Sequence, residues 1–191
     1  MMRIFSNLII HISEALILYM YFNKLFDRKT GSFKTALTYI LGFSTLFFIN
    51  NFENLIVNIV SCFLIYAFIA CLAFYTKKKT ALFYSCIFLT IELFAEYATV
   101  FIHALIKKSY FDEYKDNDFT FFVDSLIAKF LLFVFAYYLT KFLVVKKKRN
   151  PTDKYSLLLL PLPIMTFLAT IISAEILNAK QMTDRNNWLF Y

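Results

Sequence analysis

Apolar residues occur in this 191-residue sequence as six long stretches, and the length of these stretches limits the fold more than any other feature. They cover about residues 4–23, 35–50, 54–75, 80–106, 119–145 and 155–177. A helix of about 20 residues, rising about 1.5 Å per residue, crosses a hydrocarbon core of about 30 Å. We therefore predict an all-α, polytopic transmembrane helical bundle of about six spans, with residues 1–191 forming a single transmembrane domain.

The composition excludes a soluble catalytic domain. Charged residues make up 17% of the chain and hydrophobic residues 60%, whereas a soluble domain keeps roughly 25% charged residues. The two glycines, Gly31 and Gly42, cannot build a phosphate-binding loop. No catalytic motif is found, and we predict no catalytic residue, no metal site and no cofactor.

Basic residues are distributed unequally between alternate loops, which predicts the orientation. Six lie in the loops and ends on one side, Lys129 lies within span five, and thirteen lie on the other side. The thirteen are Lys24, Arg28, Lys29, Lys34, Lys77, Lys78, Lys79, Lys141, Lys146, Lys147, Lys148, Arg149 and Lys154. We therefore predict a multi-pass protein of a bacterial cytoplasmic membrane with its N-terminus outside. The excess of positive charge is explained by this orientation signal and by contact with lipid headgroups. We therefore predict no nucleic-acid partner.

Two connectors carry further information. Residues 50–54 form a polar linker that is only long enough for a helical hairpin, so spans two and three should be antiparallel neighbours. The predicted extracellular loop 107–118 contains Asp112, Glu113 and Asp116 among aromatic residues. It could receive a peptide or a cationic ligand, or simply join two spans.

Ionisable residues within the apolar stretches are the candidate site, because each costs about 2.5–3.5 kcal/mol at helix-centre depth. They are Glu14, Glu92, Glu96, His103 and Lys129. Glu14, Glu96 and Lys129 each lie about ten residues, or about 15 Å, from the outer end of their span. We predict an ion pair between Glu96 and Lys129, shared with Glu92 or Glu14.

Several functions are compatible with such a polar core. It could respond to an extracellular ligand, hold the helices together or form a proton or ion pathway. Pro161 and Pro163 in span six remove backbone donors and kink the helix, which predicts a hinge.

Four segments resemble the membrane sensor of GHKL-type sensor histidine kinases of the accessory gene regulator class. They are the runs Ser6 to Leu16, Phe22 to Phe26, Lys77 to Lys79 and Ile91 to Tyr97. The resemblance covers nearly the whole chain and implies a non-catalytic sensor module of a two-component system, used in quorum sensing, that binds an extracellular peptide. The sequence ends at Tyr191 before any kinase domain, so we expect a truncated receptor and assign it no kinase activity.

Two other functions remain open at this point. One is a small transporter or the substrate-binding membrane subunit of one. The other is a pheromone-processing membrane peptidase, which would need a Cys and His pair; Cys86 and His103 are too far apart on one helix, whereas His11 could approach a Cys from another helix. The candidate partners are the lipid bilayer, an extracellular peptide and a second copy of the chain.

Overall fold

The computed structural model describes residues 2–50, 54–107 and 118–147, which fold entirely into helices apart from short connectors. The helices are α1 (Met2–Leu25), α2 (Ser32–Asn50), α3 (Leu55–Ala73), α4 (Lys78–Lys107) and α5 (Asp118–Lys147). Each contains a segment long and apolar enough to cross a membrane. These five agree with the first five predicted spans, whereas the predicted sixth span lies outside the described residues. All described residues belong to one compact unit, Met1–Pro151, and the predicted domain 1–191 reaches beyond it.

The five helices close into a ring. Along the chain, α1 packs on α2, α2 on α3, α3 on α4 and α4 on α5, and α5 returns to pack on α1. The exposed surface of the bundle carries large apolar side chains such as Phe33, Phe48 and Phe130, which are 81%, 68% and 64% exposed. Water would disfavour so much exposed apolar surface, whereas lipid accommodates it.

The predicted hairpin of α2 and α3 is confirmed. The side chain of Asn54 caps α3 by accepting a hydrogen bond from the backbone N–H of Val57 at 3.1 Å. Across the turn, the Asn58 side-chain amide donates to Asn50 Oδ1 at 2.9 Å. The cap satisfies a backbone donor at the start of α3, and the Asn50–Asn58 contact joins the end of α2 to the start of α3, so the two packed helices are antiparallel neighbours.

Two connectors meet at the other end of the bundle. The backbone N–H of Lys29 donates to the Ala73 carbonyl, and that of Tyr75 donates to the Asp27 carbonyl, both at 2.9 Å. The Lys24 ammonium lies 3.9 Å from the centre of the Tyr137 ring on α5. We call this the basic end, formed by residues 24–31, residues 74–79 and the last turns of α5. Three of the predicted cytoplasmic basic segments therefore share one end.

Gly42 of α2 lies directly against Ile65 and Ile69 of α3. A Cβ atom at Gly42 would lie 2.9 Å from Ile69 Cδ1 and 3.1 Å from Ile65 Cγ2, whereas one at Gly31 would meet nothing within 4 Å. Gly42→Leu should therefore push the helices apart and reduce the free energy of unfolding by about 1–3 kcal/mol. The measurement is unfolding in dodecyl maltoside micelles titrated with sodium dodecyl sulfate, followed by helical circular dichroism. Gly31→Leu is the matched control, and equal losses for the two variants would contradict the packing.

Candidate functional site

Four helices bring polar side chains to one point inside the ring, and three of these helices contribute charged ones. We call this group the polar cluster: Glu14 of α1, Tyr66 of α3, Glu92 and Glu96 of α4, and Lys129 of α5. Glu14, Glu92 and Lys129 are each about 5% exposed and Tyr66 is fully buried, whereas the Glu96 side chain is 47% exposed. The cluster therefore extends from the centre of the bundle to the surface of α4.

Lys129 is the only cation of the polar cluster and contacts all three carboxylates. Its Nζ atom lies 2.5 Å from Glu92 Oε1, 3.0 Å from Glu96 Oε1 and 3.1 Å from Glu14 Oε2. The predicted ion pair between Glu96 and Lys129 is thus present, and both of the proposed sharing partners take part. An ammonium has three hydrogens, so each carboxylate can receive one.

The Tyr66 hydroxyl links the two buried carboxyl groups through the oxygens that Lys129 does not contact. Its hydroxyl is hydrogen bonded to Glu14 Oε1 and, at 2.8 Å, to Glu92 Oε2. Phe43 of α2 stacks on the Tyr66 ring, and Phe88 of α4 packs edge-on against it. Sequence analysis missed Tyr66, although its position at the middle of span three places it at the depth of the charged residues.

Tyr66→Phe should lower the free energy of unfolding by about 1–3 kcal/mol, because it leaves two buried carboxyl oxygens without their hydroxyl partner. The Tyr39 hydroxyl is also buried but makes no hydrogen bond. Tyr39→Phe is therefore a control with the same chemical change and should cost nothing measurable. Unfolding titrations of both variants in dodecyl maltoside provide the test, and a Tyr66→Phe variant as stable as Tyr39→Phe would show that the hydroxyl bridge is absent.

The interior on the two sides of the polar cluster differs. Toward the basic end lies an aromatic cluster of Tyr21, Phe22, Phe26, Phe74 and Phe88, all at most 9% exposed, with ring centres 5.2–6.4 Å apart. Buried hydroxyl residues also lie on this side, at Thr35, Ser85 and Thr140, whereas the opposite side holds the buried residues Ser6, Thr99 and Asp124, one of them charged. Among the described residues, every buried charged side chain lies in the polar cluster or on this second side.

The remaining predicted site residues have different outcomes. His103 lies within α4, but its side chain is not among those described. Asp112, Glu113 and Asp116 of the predicted extracellular loop, and the predicted hinge residues Pro161 and Pro163, lie outside the described residues. The candidate site that can be built from the structure is therefore the polar cluster alone.

His11 lies beside the polar cluster without joining a catalytic pair or a metal site. Its Nδ1 atom is 3.8 Å from Glu14 Oε2, and its ring packs against Phe47. Neither ring nitrogen makes a hydrogen bond, so no cysteine thiol is paired with it. Over residues 2–50, 54–107 and 118–147, no group of three or more His, Cys, Asp or Glu residues is arranged to hold a metal ion.

Comparison with known proteins adds no assignment to this geometry. No protein-family model matches the chain, and neither the curated proteins nor the solved structures gave a match.

Proposed function

We propose that this chain is a membrane-embedded sensor module that receives an extracellular peptide and passes the signal through a change in helix packing. The observation that carries the proposal is the asymmetry of the interior. Within residues 2–50, 54–107 and 118–147, buried charge is confined to the polar cluster and the side away from the basic end, and the aromatic cluster lies between the polar cluster and the basic end. With the basic end in the cytoplasm, as the positive-inside rule requires, the side of the interior that holds the buried charge faces outward.

This arrangement suits a receptor better than a transporter. A transporter must open its polar site to both sides of the membrane, and its site lies where helices are broken or where polar groups continue across the bilayer. Here α1, α3, α4 and α5 run unbroken past the polar cluster, and Tyr21, Phe22 and Phe74 fill the interior on one side at no more than 1% exposure. The resemblance to the sensor region of peptide-responsive histidine kinases supports the same choice.

The polar cluster also offers a means of transmission. The Lys129 ammonium joins three helices, so a ligand that takes one carboxylate away from it changes the contacts of α1, α4 and α5 together. Glu96 is the accessible member, since its side chain is 47% exposed and its Oε1 atom contacts Lys129. A ligand shifts the packing only if it binds one arrangement more tightly than the other, and a cationic peptide side chain at Glu96 would do so by competing with Lys129.

The orientation should be measured first. In a variant whose three cysteines are replaced by alanine, Lys78→Cys should react with a membrane-impermeant maleimide only after the cells are permeabilised. Asn54→Cys, at the end of α3 that lies away from the basic end, should react with the same maleimide in intact cells. Labelling of Lys78→Cys in intact cells would place the basic end outside, and the proposed direction of signalling would be wrong.

Ligand binding should then be tested on the purified chain in lipid nanodiscs. We expect native mass spectrometry to detect a bound peptide when the chain is incubated with the peptide fraction of medium conditioned by the source cells. Glu96→Gln should lose the bound mass, whereas Lys24→Gln, a charge change at the basic end, should retain it. Accumulation of labelled peptide inside proteoliposomes would indicate transport instead, and the absence of any bound species would contradict the sensor.

A further inference from the structure

The hydrogen bonds of the polar cluster allow its hydrogens to be counted. The Tyr66 hydroxyl lies within hydrogen-bonding distance of a Glu14 oxygen and a Glu92 oxygen. A phenol has one hydrogen to donate, and an ionised carboxylate only accepts. If both carboxylates were ionised, the two oxygens would have to share the single phenol hydrogen in a weaker three-centre bond, or one contact would have no hydrogen in it.

Lys129 cannot supply the missing hydrogen. Its ammonium donates hydrogen bonds to Glu92 Oε1 and Glu96 Oε1 and forms an ion pair with Glu14 Oε2. These are different oxygens from the two that Tyr66 contacts. Each contact of Tyr66 is therefore a full two-centre hydrogen bond only when Glu14 or Glu92 carries a hydrogen of its own.

The charge balance leads independently to the same result. Three carboxylates around one ammonium carry two excess negative charges, and Glu14, Glu92 and Lys129 are nearly fully buried in the bundle. Uncompensated buried charge is far more costly than a neutral carboxyl group that donates a hydrogen bond. Protonation of one buried glutamate removes one of these charges and satisfies the Tyr66 hydroxyl at the same time.

Few neighbouring groups could donate a hydrogen to the bridge of Glu14, Tyr66 and Glu92 in place of this proton. The imidazole of His11 on α1 is 3.8 Å from Glu14 and makes no hydrogen bond. Cys62 lies one helical turn before Tyr66 on the same face of α3, and α2 contributes the apolar ring of Phe43 against Tyr66. Glu96 of α4 and Lys129 of α5 complete the charged groups that face the pair.

We propose that the polar cluster is a proton-binding site, in which one proton is shared by Glu14 and Glu92 through the Tyr66 hydroxyl. In one form Glu14 donates to Tyr66 and Tyr66 donates to Glu92; in the other, the directions are reversed. The two forms interconvert by transfer of two hydrogens along the bridge without moving the helices. The site does not depend on a peptide ligand, so it can be tested separately from the sensor function.

Infrared spectroscopy detects a protonated carboxyl group directly by its carbonyl stretch. The chain is measured at neutral pH in dodecyl maltoside, a detergent without a carbonyl group. We expect a protonated-carboxyl band that moves to lower wavenumber in D2O and when the glutamates carry ¹³C at Cδ. Absence of such a band in the unaltered chain would overturn the proposal without any variant.

Substitutions show which carboxyl groups give rise to the band. Glu14→Gln and Glu92→Gln should each remove it, because the amide supplies the missing donor and the remaining buried carboxylate stays ionised beside Lys129. Tyr66→Phe should keep the band but move it to higher wavenumber, since the carboxyl group loses its hydrogen bond. Asp124→Asn, a buried carboxyl group outside the polar cluster, is the matched control and should leave the band in place. A band that survives both Glu14→Gln and Glu92→Gln, or that disappears in Asp124→Asn, would place the proton elsewhere and refute the site.

Discussion

Replacing Lys129 with Met should reduce the free energy of unfolding by about 3–5 kcal/mol, the largest loss expected of any single substitution in the described residues. The variant leaves Glu14, Glu92 and Glu96 around an apolar side chain, with the first two nearly fully buried. Their repulsion and desolvation are then no longer offset by the ammonium. The measurement is the unfolding titration in dodecyl maltoside, together with the folded yield from gel filtration.

The Lys129→Met experiment has a control on the same helix. Lys141→Met makes the same chemical change at an exposed position of α5 and should stay within about 0.5 kcal/mol of the unaltered chain. Adding Glu92→Gln to Lys129→Met should recover part of the loss, because one fewer carboxylate is left without a cation. Equal stability of the two methionine variants would contradict the ion pairs at Lys129.

Replacing Phe22 with Ala should cost nearly as much, about 3–5 kcal/mol. The Phe22 ring is fully buried and packs on Tyr21, Phe26 and Phe74, with centre distances of 5.4, 6.0 and 5.9 Å. Lipid tails are as apolar as this ring, so the expected loss comes from packing and from the cavity left behind, and not from exclusion of water. The same unfolding titration measures it.

Phe130→Ala is the matched control for the aromatic cluster. Phe130 is 64% exposed on α5, so its truncation removes contacts with lipid or detergent more than contacts with protein. We expect its unfolding free energy to change by less than about 1 kcal/mol. If Phe22→Ala were as mild as Phe130→Ala, the interior next to the basic end would be loosely packed, and the proposed separation of the polar cluster from that end would fail.

Much of the fold could be predicted from the sequence because lipid imposes a simple rule on helix length. The five described helices follow the apolar stretches to within three residues at each end: α2 begins at Ser32, before the predicted residue 35, whereas α3 is shorter than predicted at both ends. The hairpin of α2 and α3 was predictable because the linker is so short. The packing of α5 on α1 could not be predicted, because neither the connectors nor the hydrophobic pattern shows which helices far apart in the sequence are in contact.

The candidate site could be predicted in outline for the same reason. Depth along each helix places Glu14, Glu96 and Lys129 at one level, and the structure joins them. Depth alone could not show that Glu92 contacts Lys129 at a shorter distance than Glu96 does, since this depends on helix rotation. Tyr66 was overlooked because a tyrosine is common at membrane interfaces, and only the packing of α3 reveals its hydroxyl between two carboxyl groups.

The contact of the Lys129 ammonium with glutamate carboxyl groups can be measured directly in a bilayer by solid-state nuclear magnetic resonance. The chain is labelled with ¹⁵N at lysine Nζ and ¹³C at glutamate Cδ, and the dipolar coupling between the two is recorded. We predict one strongly coupled ammonium signal that disappears in Lys129→Arg, a variant that keeps the positive charge. If every lysine Nζ remained uncoupled from the glutamate carbons, the polar cluster would not exist in the membrane.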